Sequence, residues 1–215
     1  MSAVSCRAAI ERDAGNPGAE HLRKRVVEWL GSIGVSNELE PTEAALLSTP
    51  LGKLDQKTKV DATWQCEGMA VLAWALGSFP LPMFSKQCEP SEASNALGFL
   101  REREATVLSQ PRLRDSNEIA IWEETYLTLH WRLRQFSNLR EPIDFAAYVS
   151  SCNWGPLRLD QLELCEGDLA VGGVRLDRLD YAAFRSTLSI VQERHQAFNW
   201  LIGWDSVYSQ VTTDT

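Results

Sequence analysis

Ile119, Trp122, Tyr126, Leu129, Leu133 and Phe136 recur at spacings of 3, 4, 3, 4 and 3. Positions three and four apart share one face of an α-helix, so the run predicts a helix whose apolar seam packs lengthwise on another helix. Phe184, Leu188, Val191, His195, Phe198 and Ile202 repeat the rhythm between about Tyr181 and Ile202. Matching seams predict an antiparallel pair. Trp64 to Gly77, WQCEGMAVLAWALG, is apolar on nearly every side, and a helix of that kind must be buried all round. It follows the charged Lys57 and Lys59 and has fourteen residues, whereas a bilayer span needs about 20 apolar ones. The pattern predicts a buried central helix over about 55–77, with the helix pair around it.

The remaining segments carry weaker patterns. His21 to Ile33 shows Leu22, Val26, Trp29, Leu30 and Ile33 at helical spacing. Glu40-Pro41-Thr42-Glu43 carries the start signals of another helix, Pro at the first position and carboxylates near the positive end of the helix dipole. Ser91 to Leu108 reads as helical, with a narrow stripe of Ala93, Ala96, Leu97 and Leu100. The period changes between Leu157 and Val174, where Glu166-Gly167-Asp168 and Gly172-Gly173 interrupt apolar positions, as in a small β-hairpin or two-turn ribbon. Residues 1–18 end in Gly-Asn-Pro-Gly and read as a loosely ordered leader. The fold class predicted is mainly α (α+β), with a single-domain helical bundle over 19–215.

Composition narrows the function. The chain has 215 residues, a net charge of -8 and a pI near 5.0, which argues against the clustered basic surface that nucleic acids and anionic membranes require. Acidity favours another protein, and a basic one, as partner. Cys6, Cys66, Cys88, Cys152 and Cys165 are scattered, odd in number and without a CxxC pair, so they read as reduced thiols of a cytoplasmic protein. Arg7, Glu11, Arg12 and Asp13 stand where a signal peptide would be apolar.

A family resemblance rests on several blocks in order. These are the run from Trp64 to Gly77; Glu118-Ile119 followed by Leu129-His130-Trp131; Gly167 to Gly173, GDLAVGG; and the closing ERHQAFNWLI, WDSV and TDT. From about His21 to Thr215 the chain resembles bacterial proteins of domain-of-unknown-function family 4272. Thr128 stands where that family often carries an Arg before the Leu-His-Trp element. The resemblance implies a mainly helical, soluble bacterial protein and no particular chemistry.

No HExxH, no GxSxG elbow and no phosphate-binding loop appears, so metal and cofactor are expected to be none. Glu67 lies within the apolar helix, where a carboxylate must be paired with a cation such as Arg194 or Arg132, or serve as an acid with a raised pKa. His130 and His195 occupy equivalent places on the two seams, as core histidines or as members of an acid-base site with Glu67. Residues 151–215 carry nine carboxylate residues against five arginines. Glu163, Glu166 and Asp168, in and beside the hairpin, together with Asp205 and Asp214 of the tail, are the candidate binding acids. Two functions follow. One is a non-enzymatic protein-binding module, of the immunity or inhibitor type, using an acidic surface. The other is an enzyme with a buried Glu/His acid-base or metal site between helices.

Overall fold

The structure is a computed structural model that describes the backbone of residues 1–215 and every side chain except that of Glu104. It divides into two compact units, Met1–Leu81 with Cys88–Arg114, and Pro82–Gln87 with Asp115–Thr215. One domain over 19–215 was the expectation from the sequence pattern.

The first unit contains α1 (Ser2–Arg12), α2 (Ala19–Ser32), α3 (Pro41–Ser48), α4 (Gln56–Ala75) and α5 (Pro90–Ala96). The leader is corrected here: α1 packs on α2, α3 and α4 and buries Ala3, Val4, Ala8 and Ile10. Its charges misled the sequence reading because two of them neutralise each other inside. Arg7 donates to Glu11 at 2.7 Å and to the Thr49 carbonyl at 3.0 Å, while Glu11 accepts from the Leu54 N–H at 3.0 Å. A pair three or four positions apart sits on one helix face, so both charges go inward together.

The helix predicted over about 55–77 is α4, capped by Asp55, whose side chain accepts from the Thr58 N–H; it belongs to the first unit, whereas the helix pair expected around it belongs to the second. Cys66, Met69, Ala70, Val71, Ala73 and Ala75 are buried along it. Pro41 opens α3, and a reciprocal capping box joins Glu40 and Glu43. The helix expected over Ser91–Leu108 ends at Ala96 instead. Gly98 has φ +79°, and a Cβ there would lie 2.5 Å from the Ala105 carbonyl oxygen. The chain folds back against its own backbone at that point, which only glycine permits, and continues in 3-10 turns.

The second unit is built on α6 (Ser116–Leu139) and α8 (Tyr181–Leu201), with α7 (Phe145–Ser151) and a small sheet between them in sequence. Asp115 and Asp180 cap the two long helices. Their seams meet as the spacing predicts. Tyr126 stacks on Phe198 at 5.0 Å and Phe136 meets Phe184 edge-on at 5.4 Å, so ascending numbers on one helix face descending numbers on the other, and the pair is antiparallel. Strands β1 (Leu164–Cys165), β2 (Asp168–Val171) and β3 (Val174–Arg175) form an antiparallel sheet in the order β1-β2-β3. Cys165 pairs with Asp168 and Val171 with Val174. Each hairpin therefore closes in two residues, Glu166-Gly167 and Gly172-Gly173, all four with positive φ, the geometry that matches strand twist. Residues 157–163 precede the ribbon without strand structure.

Candidate functional site

His130 and His195 come together in the seam between Tyr126–Phe198 and Phe136–Phe184. Their Nδ1 atoms are 3.0 Å apart, and both rings are buried. At that distance one Nδ1 carries the proton and the other accepts it. Burial, reinforced by the Arg134 charge, lowers the pKa of His130 to about 4; burial, reinforced by His130, lowers that of His195 to about 3. The pair is therefore neutral near pH 7. The Nε2 atom of His195 is buried and has no hydrogen-bond partner among the described residues.

His130 forms part of the wall of a cavity of about 310 Å³, at the lower end of the range for small-ligand sites. One turn along α6, Arg134 lines it with Ser137 and Asn138, facing Leu188 and Gln192 of α8 and Thr213 of the tail. Because Nδ1 of His130 is engaged by His195, Nε2 is the ring nitrogen left for the cavity. Arg134 is exposed, and Nη1 donates to the Thr213 carbonyl at 3.3 Å and the Thr215 hydroxyl at 3.5 Å. No carboxylate pairs with it among the described residues.

The tail that lines the site is docked through Val211 and backbone carbonyls, while Trp204 is exposed. Val211 is buried, Asn199 donates to the Thr212 carbonyl at 2.9 Å, and Gln196 donates to the Tyr208 carbonyl at 3.0 Å. Asp205 acts as a turn residue, accepting from the Val207 N–H at 2.8 Å, and Asp214 is exposed.

The other candidates fall elsewhere. Glu67 belongs to the first unit, fully buried, and accepts from the Cys88 N–H at 2.8 Å. Asp168 is not a surface acid. It has 0% exposure and accepts from Arg132 through both oxygens, at 2.7 and 2.5 Å. All four residues of β2 are buried, and Asp168 meets a buried arginine that the charge count could not locate. Glu166 is exposed but bound by Arg175 at 2.6 Å and by Arg178 at 2.8 Å, and the Arg178 hydrogen bonds hold its pKa below the usual carboxylate value. Asp177 is likewise held by Arg175 at 2.6 Å. Glu163 remains exposed. The hairpin's negative charge is largely compensated on the spot.

Arg134 and Gln192 escaped the sequence reading. The available signal was spacing, since Arg134 lies four positions after His130 and Gln192 three before His195, which puts each beside its histidine on the helix surface.

Residues 1–145 match the family profile described as Domain of unknown function (DUF4272). The chain belongs to that family. The match includes α1, which the resemblance had placed outside, and stops before the closing block, so only the His130 half of the histidine pair lies within it. No curated protein and no solved structure matches the chain. No helix among the described residues is long and apolar enough to cross a membrane.

Proposed function

We propose that the protein is a non-catalytic binding protein whose ligand is a small polar molecule, held in the cavity between α6, α8 and the tail. One observation carries this reading: Arg134, without a carboxylate partner among the described residues, shares a cavity of about 310 Å³ with a neutral histidine. A cation left unneutralised beside concave polar groups is the arrangement that fixes a ligand's orientation.

Binding is preferred to acid-base catalysis because the one imidazole lining the cavity, that of His130, has its pKa displaced from the neutral range to about 4. General catalysis works best with a pKa near the operating pH. A basic protein partner, favoured by the net charge of -8, would rest on Glu163 and Asp214 rather than on Glu166 and Asp168. The scattered cysteines support a cytoplasmic setting for this function.

Thermal melting across a panel of small anionic, neutral and cationic polar compounds tests the proposal. A true ligand at 100 times its Kd adds about 2.7 kcal/mol and raises Tm measurably. The rise is expected to vanish in Arg134→Gln and in Leu188→Trp, which fills the cavity. A panel in which no compound gives a rise sensitive to those two changes refutes the reading.

A further inference from the structure

We infer that His195 holds His130 in the tautomer protonated at Nε2, so that the cavity presents N–H donors and selects an oxyanion, a carboxylate or a phosphate, as its ligand. The inference deepens the binding reading above and rests on it. Two neutral arrangements satisfy the 3.0 Å contact between the Nδ1 atoms. In the first, Nδ1–H of His195 donates to a bare Nδ1 of His130, and His130 turns an Nε2–H towards the cavity. In the second, the proton lies on Nδ1 of His130, the cavity nitrogen is bare, and His195 carries its proton on Nε2.

The environment of His195 separates the two. Its Nε2 is buried with no partner among the described residues. The second arrangement strands an N–H donor there, whereas the first leaves only a lone pair, and orphaned buried donors are the rarer and costlier case. The neighbouring cation does not reverse this preference. Arg134 spends Nη1 on the Thr213 carbonyl and the Thr215 hydroxyl and makes no hydrogen bond to His130, so its charge favours a lone pair on the cavity nitrogen only through space, a pull secondary to burial.

The first arrangement places an Nε2–H and a guanidinium in one cavity, with the side chains of Ser137, Asn138 and Gln192 as further donors. A group that only accepts hydrogen bonds and carries negative charge matches that set. Carboxylates and phosphates share those properties. His195 touches no ligand in this scheme; it acts as a positioning residue through His130.

Imidazole nitrogen spectra of the uniformly 15N-labelled full-length protein test the inference, because protonated and bare ring nitrogens resonate far apart. The expected spectrum shows His130 protonated at Nε2 and His195 at Nδ1. Titration with sodium acetate in one arm and inorganic phosphate in the other should move the His130 Nε2 signal, and the arm that responds names the class. In His195→Phe, and in His195→Asn should the Phe variant fail to fold, His130 is expected to populate both tautomers and to bind the responding anion at least tenfold more weakly. A bare His130 Nε2 in the parent protein overturns the inference and leaves the cavity reading standing. The expected tautomers with no response to either anion overturn the oxyanion assignment, and the neutral compounds of the melting panel then decide the broader reading separately.

Discussion

Arg132 and Asp168 meet side by side with no exposed surface, Nε to Oδ1 at 2.7 Å and Nη2 to Oδ2 at 2.5 Å. The N–H groups of Ile143 and Leu169 add hydrogen bonds to the same carboxylate at 3.2 and 2.7 Å. Four donors converge on one buried anion, tying α6 to β2 and to the residues before α7.

Removing that anion leaves a buried guanidinium uncompensated. Asp168→Ala is expected to cost about 3 to 5 kcal/mol, the scale for breaking a buried pair, whereas Glu163→Ser on the exposed side should change stability by less than about 0.5 kcal/mol. Chemical denaturation of the two variants checks both. Equal midpoints would contradict the burial of Asp168.

Acid should weaken the protein through the histidine pair. Free histidine titrates near 6.5, and the folded pKa values are about 4 and about 3. The unfolded chain therefore binds protons that the folded chain refuses. The neutral pair's contribution is fully present above about pH 6.5 and is lost as pH falls from there towards 3, by a few kcal/mol in all. A His130→Phe, His195→Leu double variant should show a visibly flatter fall of Tm between pH 6.5 and 4. An unchanged slope would show that the pair does not titrate as described.

Glu123 has the opposite sign. Burial, with the neighbouring Glu124 charge second, raises its pKa to about 7, so its neutral form is favoured on folding. Stability from this group is present below the unfolded value near 4.3 and disappears as pH rises through 7. Glu123→Gln should therefore stabilise by about 1 kcal/mol at pH 8, allowing for solvent screening, and by little at pH 4.5. Melting curves at the two pH values give the answer; a gain confined to the lower pH would reverse the assignment.

Two glycines offer a paired test of close approach against backbone strain. Gly98→Ala meets the Ala105 carbonyl oxygen at 2.5 Å and the Thr106 Cα at 2.8 Å, on a backbone with φ +79°, and should cost about 2 to 4 kcal/mol. Gly172→Ala has φ +58° and nothing within 4 Å, so strain alone should cost about 1 kcal/mol. Similar losses in the two variants would mean that the chain does not fold back at Gly98.

The parts of this fold that were legible in sequence are those in which one period persists. The 3-4 rhythm of Ile119 to Phe136 and of Phe184 to Ile202 extends over five turns or more, and the ring contacts of Tyr126 with Phe198 and Phe136 with Phe184 are its direct result. The helix α1 was hidden because Arg7 and Glu11 look solvated until they are seen to pair. The early end of α5 turns on one residue, Gly98, whose reason lies in a carbonyl seven positions later. The two histidines were visible as candidates. Their contact was not, because it depends on the register between helices whose contacting residues are 65 positions apart. For Arg134 the sequence offered only its place four positions after His130, and the cavity beside it gives that spacing a meaning.

Arg194 has a consequence for how the chain can be cut. Fully buried on α8, it donates to the carbonyls of Pro82 at 2.7 Å, Met83 at 3.1 Å and Lys86 at 2.8 Å. Those carbonyls belong to Pro82–Gln87, a stretch of the second unit that the sequence carries inside the first. A fragment beginning at Asp115 would keep the arginine and lose these acceptors, and one ending at Arg114 would keep the carbonyls and lose their donor. The two units are therefore not separable by a single break in the polypeptide. A cut near residue 114 would part Arg194 from the loop it holds.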